Sequence, residues 1–533
     1  MKRKSNSYHL DIQTHRKNPY GLLRRSYRED GKVKKETLCR FTGLSLEQLY
    51  AMRAAIQGKT IMRDEFKILR SREYGASFAG VTLMKTLGNM IYSRPSDEWV
   101  RCSLAMIVGR LVYAGSKLFL SHCGTYSSLW DICGIPGENV DVNTHCYNVM
   151  DRLLERQEKI QKYLVEKHLS DGTLILYDIT SSYVEGEYEN SEIVKFGYNR
   201  DKKKGHKQIV IALLCNKDGC PVVVEVFKGN TKDETTVIGK IDDIKKKYGI
   251  SKIVFVGDRG MVTSTQYEKI DHDTVKVISA LTHNNIKELC KKDVIQLSLF
   301  DEKDIVEVAC GEMRYCLCKN PLQQEKETQT RLALLEKTKQ ELDKIVKSTR
   351  KNKYSKEIRG GKVINKFNMG KFIKFTGSGD DLTWVLDQEK IEQEQRLDGC
   401  YIIYTDVPED DMTAMEAVNN YKNLIQVEQA FRNLKTVQLE IRPMHHKTDN
   451  RIKCHVFICM LSYYLMWHMK QRLKPLFDKD GVGSNRKYTF DYVMECLKCI
   501  REEKVDFCGA ISTVITTPTV EQQEILDLLQ IKI

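Results

Sequence analysis

Proline is scarce in this chain, 9 in 533 residues, and the 32 glycines follow no repeat. With 41% apolar and 29% charged residues, the composition excludes collagen-like and disordered classes and leaves ample core for several domains. Long apolar runs are missing as well. The most apolar segment, Val456 to Trp467, is bounded by His455 and His468. It falls well short of the ~20 residues a membrane span needs, so it predicts a buried helix and no membrane partner. No apolar stretch follows Met1-Lys2-Arg3-Lys4-Ser5, so no secretory signal is expected. Cysteine is not scarce. An odd count of 17 without a signal points to a reducing compartment and free thiols, not to a disulfide framework.

Acidic charge is the other shortage. Lys and Arg number 85 against 72 Asp and Glu, a net +13, and residues 1–75 hold 18 of the former against 8 of the latter. A surplus concentrated at one end suits a polyanionic partner, most simply nucleic acid, although a solvated basic surface has the same composition.

The order of elements follows from apolar periodicity and turn residues. Tyr20 to Phe41 predicts a hairpin around Glu29-Asp30-Gly31-Lys32, and Leu44 to Leu169 is mostly helical in pattern. Strands are expected at Thr173–Thr180, Ile209–Cys215, Pro221–Phe227, Lys252–Gly257 and Val275–Leu281, with a helix-like stretch from Glu234 to Tyr248. That order implies a mixed sheet with helices packed on it, of the ribonuclease H-like type. From Leu281 to Arg396 the pattern changes. A hairpin (Ile305 to Cys318), a charged helix (Gln323 to Ser348) and a Gly/Lys-rich stretch read as an insertion standing outside the sheet. A strand at Tyr401–Thr405 and one long helix from Met412 to Lys435 resume the core. The expected domains are a basic DNA-binding region (1–75), a helical domain (76–170) and a first core part (171–285). An insertion (286–398), a second core part (399–470) and a helical C-terminal region (471–533) follow.

Two acids stand where strands end. Asp178 lies late in the first strand and Asp258 directly follows the fourth. A carboxylate there costs desolvation unless something pairs with it, and either one alone reads equally well as a salt bridge or a cap. A turn of about 100° per residue puts Glu428 on the shoulder of the apolar face of its helix. From there it can reach a sheet edge or pair with Arg432 four residues on. Together the three acids form a set of hard oxygen donors suited to Mg²⁺ or Mn²⁺. Two such ions about 4 Å apart support in-line displacement at phosphorus. Cys496-x-x-Cys499 and the group Cys310, Cys316, Cys318 lack the four ligands of structural zinc and read as buried thiols. His445-His446 reads as a solvated loop, and Lys202-Lys203-Lys204 as a solvated loop or a phosphate-tracking one.

The segment Tyr421-Lys-Asn-Leu-Ile-Gln-Val-Glu428-Gln-Ala-Phe-Arg-Asn-Leu-Lys435 resembles the Tyr-x2-Arg-x3-Glu-x6-Lys signature of DDE transposases of bacterial insertion sequences. Tyr421, Glu428 and Lys435 match, while Leu424 stands in the family's Arg position. Tyr177-Asp178-Ile-Thr, Gly205-His206-Lys-Gln208, Gly229-Asn-Thr-Lys-Asp233, Gly257-Asp258-Arg-Gly260 and Arg451-Ile-Lys-Cys-His455 are similar to the same family. Asp258 follows Asp178 by 80 positions, and Glu428 follows by 170 more, as in members with a strand-rich insertion. The resemblance implies a transposase that binds its element's inverted repeats, hydrolyses the 3′ strand and joins it to target DNA. Asp178, Asp258 and Glu428 would bind two Mg²⁺ ions (or Mn²⁺), and Tyr421, Arg432 and Lys435 would contact DNA. It further implies a homodimer in the synaptic complex and a bacterial, nucleoid-associated, cytoplasmic protein. A ribonuclease H-like nuclease without strand transfer, or an inactive DNA-binding remnant, are the alternatives.

Overall fold

The computed structural model describes residues 7–14, 18–29, 32–58, 66–87, 96–170, 172–198, 205–231, 247, 249–250, 252–259, 261–262, 267–301, 305–349, 354–442, 444–479, 486–507 and 509–533. The Asp30-Gly31 turn, Lys202–Lys204 and nearly all of the helix-like stretch 234–248 lie outside them. The chain divides into two compact units, Gln161–Tyr183 with Ile193–Phe431, and Met1–Ile160 with Val184–Glu192 and Arg432–Ile533.

The first of these is built on an eight-stranded mixed sheet. Its strands are β1 (Thr173–Tyr183), β2 (Gln208–Asn216), β3 (Pro221–Lys228), β4 (Ile253–Gly257), β5 (Val275–Ala280), β6 (Val306–Cys310), β7 (Met313–Lys319) and β8 (Cys400–Thr405). Their spatial order is β6-β7-β8-β5-β4-β1-β2-β3. β4 runs parallel to both β1 and β5, and the other neighbours are antiparallel. Every residue of β2 is buried, which is why its sequence is a continuous apolar run without alternation. Continuous runs of this kind made the five expected strands legible, each to within a few residues.

One expectation is corrected. The hairpin β6–β7 does not stand outside the sheet but extends it, pairing β7 with β8 from Arg314↔Thr405 to Lys319↔Cys400. Without it the backbone edge of β8 would be unpaired. Arg314 fastens the junction, donating to both Glu307 oxygens (2.6 and 2.9 Å) and to the carbonyls of Val407 and Met412 (2.8 Å each). Beneath the hairpin, Ile286, Phe300, Leu317, Leu397 and Ile402 form one apolar cluster. The rest of the insertion has a separate core, in which the helices Pro321–Lys347 and Lys356–Phe367 pack Leu342, Ile345, Val363 and Ile364 against Phe372 and Leu382.

The other unit begins with strands Ser7–Gln13, Tyr20–Glu29 and Lys32–Phe41 in an antiparallel meander, the hairpin closing at Glu29↔Lys32 as expected. A helix, Leu46–Ile56, follows, started by a Ser45/Gln48 capping box. Strand Phe66–Glu73 then pairs with Arg501–Phe507, which pairs with Ala510–Ile515. Strand Phe66–Glu73 therefore interrupts a stretch expected to be helical, while most of the described residues from Gly75 to His168 are helical, and the C-terminal region is not wholly helical. REEKVDF carries no apolar alternation, and pairing across more than 400 residues decides its conformation. Arg72, 3% exposed, sits in that sheet between Glu502 (2.5 Å) and Asp131 (2.7 Å). The helix Asp449–Lys479 buries Val456 through Met466, and its Ser462 hydroxyl donates to the Ile107 carbonyl of the helix Glu98–Tyr113 at 2.8 Å. Among the described residues no single helix is long and apolar enough to cross a membrane.

Candidate active site

Asp178 and Asp258 are placed by strand register. β1 and β4 are parallel, and Tyr177 opposite Gly257 is the last pair of their ladder, so Asp178 and Asp258 are the next residue along on each of two neighbouring strands. Asp178 is half-buried within β1, and its Oδ1 accepts from the Ile179 amide at 2.7 Å. Asp258 is exposed just past the end of β4. Its Oδ1 accepts from the Arg259 amide (2.7 Å), and its carbonyl accepts from the Met261 amide (3.1 Å) and the Ser279 hydroxyl (3.3 Å). Those bonds fix the backbone where the carboxylate leaves the sheet.

The third acid arrives on a helix that is not continuous. A Thr413/Glu416 capping box starts the helix Ala414–Lys422, and a second helix, Leu424–Arg432, begins after Asn423. At Asn423 the hydrogen bonding tightens, with the Gln426 amide bonding to the Asn423 carbonyl three residues back at 2.9 Å. Tyr421 and Glu428 thus sit on separate segments, a correction to the single helix expected. The second segment buries Leu424, Val427, Ala430 and Phe431 and leaves Glu428 exposed beside them, the shoulder position expected. It is pressed onto the turn between β2 and β3. Gly219 there has φ +79°, and a Cβ on it would lie 2.8 Å from the Gln426 Cβ, so only glycine fits.

Electrostatics link these groups. The Tyr421 hydroxyl donates to Asp258 Oδ1 at 3.4 Å, and burial, then the Asp258 charge, hold its phenol above the usual range. Glu428 is raised above the ordinary glutamate range by partial burial and then by Asp258. The three carboxylates do not yet lie within 4.8 Å of one another. Like charges repel, and hard oxygen donors of this type suit a divalent cation, which would offset the repulsion of drawing them together.

Two of the expected DNA contacts fall in the other unit. Arg432, exposed, closes the Glu428 helix, and Lys435 lies in a π-helical turn, Asn433–Val437. A π turn advances fewer degrees per residue than an α-helix, so the helical periodicity of the single helix expected does not run on unchanged to Lys435. Leu424, in the family's Arg position, is 7% exposed and belongs to the core.

Other motifs prove structural. Gln208 donates to the Gly229 carbonyl at 2.7 Å, and a Cβ on Gly229 would lie 2.0 Å from the Gln208 carbonyl oxygen, so these two motifs meet as packing. Asp449 accepts from the Ser191 hydroxyl (2.5 Å) and the Glu192 amide (2.9 Å), and Arg451 pairs with Asp151 at 3.0 Å. Asp406, also at a strand end, was not singled out by sequence. It is 5% exposed and satisfied by Tyr267, His272 and the Val277 amide. All cysteines among the described residues are free thiols.

Residues 169–465 match the transposase DDE domain, and residues 10–71 match the N-terminal domain of IS1634 family transposases. No curated protein matches. Among solved structures, a piggyBac transposase in a cryo-EM synaptic complex with hairpin DNA is similar over 79% of this chain and 69% of its own, at 10% identity and a TM-score of 0.33.

Proposed function

We propose the following for a chain that belongs to the DDE transposase family: an insertion-sequence transposase, which cleaves and transfers DNA strands with a divalent metal ion. Asp178, Asp258 and Glu428 are its metal-binding catalytic acids. The observation that carries this reading is that Asp178 and Asp258 each follow the last pair, Tyr177 and Gly257, of two parallel strands, with Glu428 held above its usual pKa by partial burial and then by Asp258. The order β3-β2-β1-β4-β5, with β1 parallel to β4 and β4 to β5, supports a ribonuclease H-like core.

Two Mg²⁺ (or Mn²⁺) ions, when bound, activate the attacking oxygen and stabilise the leaving oxygen of an in-line displacement. The chain's own residues do the rest. Asp178 and Asp258 offer oxygens from a rigid sheet, and Glu428 closes the set from its helix. Tyr421 orients the Asp258 carboxylate by the hydrogen bond it donates. Arg432 and Lys435 contact DNA phosphates. The same acids serve hydrolysis of the 3′ strand at the element's terminal inverted repeats and attack of that 3′ hydroxyl on target DNA, a cut-and-paste route.

Residues 1–75 form a DNA-binding region. Strand Lys32–Phe41 is exposed at nearly every position and carries Lys32, Lys34, Lys35 and Arg40, which supports that role. Residues 76–170, 171–285, 286–398, 399–470 and 471–533 serve as helical domain, first core part, insertion, second core part and C-terminal region. Two ends held together call for a homodimer in the synapse, working on the nucleoid in a bacterial cytoplasm.

The test is purified protein with Mg²⁺ on its native flanking DNA. Cleaved ends with 3′ hydroxyls and joined target products are expected. Cleavage with no joined product contradicts strand transfer.

A further inference from the structure

The unit formed by Met1–Ile160, Val184–Glu192 and Arg432–Ile533 contains a half-enclosed cavity of about 220 Å³ that the catalytic reading does not use. Its lining includes Arg110, Lys117, His446 and His455, with His445 and Glu440 exposed at its edge. Arg110, Lys117 and His455 are each 4% exposed. So many cationic or protonatable groups around one small space is costly, since each disfavours charge on the others.

The cavity is built and held. Ala114 and Glu440, both in its wall, have left-handed backbones at φ +48° and +38° although neither is glycine. One side chain secures both: the Arg110 guanidinium donates to the carbonyls of Ala114 (2.8 Å), Gly115 (2.6 Å) and Glu440. Arg110 thus clamps the end of one helix to the loop that carries His445 and His446, leaving a fixed positive charge at the cavity wall.

Among the described residues no carboxylate pairs with the neighbouring Lys117 or His455. Among the described residues nothing hydrogen-bonds or ion-pairs with the Lys117 ammonium. Burial, then Arg110, brings it down to about 8. His455 engages the Ile441 carbonyl through Nε2 at 3.2 Å, while its buried Nδ1 has no partner. Burial, then Lys117, Arg451 and Arg110, brings His446 down to about 3, and burial, then Arg110 and Lys117, holds His455 well below the usual range. The nearby Asp151 is taken by Arg451 at 3.0 Å. An anion in the cavity would offset the repulsion, satisfy Lys117 and favour the protonated form of His455, in which Nδ1 donates as well as Nε2.

We propose that this cavity is a binding site for a phosphate group, free or carried on the end of a DNA strand. A tetrahedral phosphate fits the volume and offers an acceptor oxygen to each of several converging donors. None of the lining residues belongs to the proposed catalytic set, so this site and that set stand or fall separately.

The experiment is calorimetric titration of the full-length protein with inorganic phosphate at constant ionic strength, on wild type, K117M and K117R. Wild type and K117R bind, and K117M binds at least about tenfold more weakly. K117M melts no lower than wild type in phosphate-free buffer, because it loses a buried cation without a partner. A 5′-phosphorylated duplex that displaces inorganic phosphate, where its 5′-hydroxyl counterpart does not, assigns the site to a DNA end. No displacement by either assigns it to free phosphate. Absence of binding to wild type up to about 10 mM phosphate, or equal affinity in K117M, overturns the proposal.

Discussion

The Tyr421 hydroxyl donates to Asp258 Oδ1 at 3.4 Å across a helix and a strand end 163 residues apart in sequence. In the proposed site the tyrosine thus touches a carboxylate, and its proposed role is that of a positioning residue. Y421F keeps the ring and its packing and removes only the donor. Cleavage with Mg²⁺ should fall by about three- to tenfold, the worth of one ordinary hydrogen bond, with affinity for the element ends unchanged. A loss of DNA affinity with unchanged cleavage would move Tyr421 from the carboxylate to the DNA.

The pH dependence of Glu428 has a definite sign. Its carboxyl is raised in the folded chain by partial burial and by Asp258, so the neutral form favours the fold. That contribution is complete below the ordinary glutamate pKa of about 4.3 and is lost as pH rises through the folded value. E428Q lacks the titration. In chelator, the melting temperature of E428Q relative to wild type should rise between about pH 4 and pH 7. Metal binding depends on pH in the opposite sense, weakening in acid as the carboxylate takes up its proton. Thermal melts at both ends of the range check the sign.

The basic meander predicts a salt effect. Lys32 and Lys35 are exposed on strand Lys32–Phe41. Replacing both by alanine should make the plot of log affinity against log salt shallower by about two, at roughly 0.9 per phosphate neutralised. The melting temperature should not move. An unchanged slope would remove this face from the DNA contact. Deletion of residues 1–75 is a poorer probe, since it also removes strand Phe66–Glu73 from its sheet with Arg501–Phe507.

Leu424 now has a clear expectation. At 7% exposure, on the buried face with Val427 and Phe431, it is a packing residue. L424R, which restores the family's signature, should destabilise the chain by about 2 kcal/mol or more without strengthening DNA binding. Chemical denaturation measures the first and titration of end DNA the second.

Much of the site was legible because its scaffold is local. Strands such as β2 are buried on both faces, and their unbroken apolar runs mark them in sequence, so Asp178 could be assigned to a strand and Asp258 to a strand end, although β1 continues to Tyr183 and leaves Asp178 within it, not near its end as expected. Glu428 fell on the shoulder of its helix because 3.6-residue periodicity survives within one segment. What was lost depends on partners far along the chain. The hairpin Val306–Lys319 joins the sheet only because β8 offers an edge, and Phe66–Glu73 is a strand only because Arg501–Phe507 lies beside it. The tightening at Asn423 and the π turn at Asn433–Val437 change rotation without any proline or glycine to announce it. Gly219 looked like an ordinary turn glycine, and its contact with Gln426 appears only in three dimensions.

The central claim is that Asp178, Asp258 and Glu428 act as one metal-binding set. Cleavage of the native element ends with Mg²⁺ by D178N, D258N and E428Q, each compared with wild type, measures it most directly. All three should lose cleavage while binding end DNA nearly as tightly as wild type. Wild-type cleavage by any one of them would contradict the account.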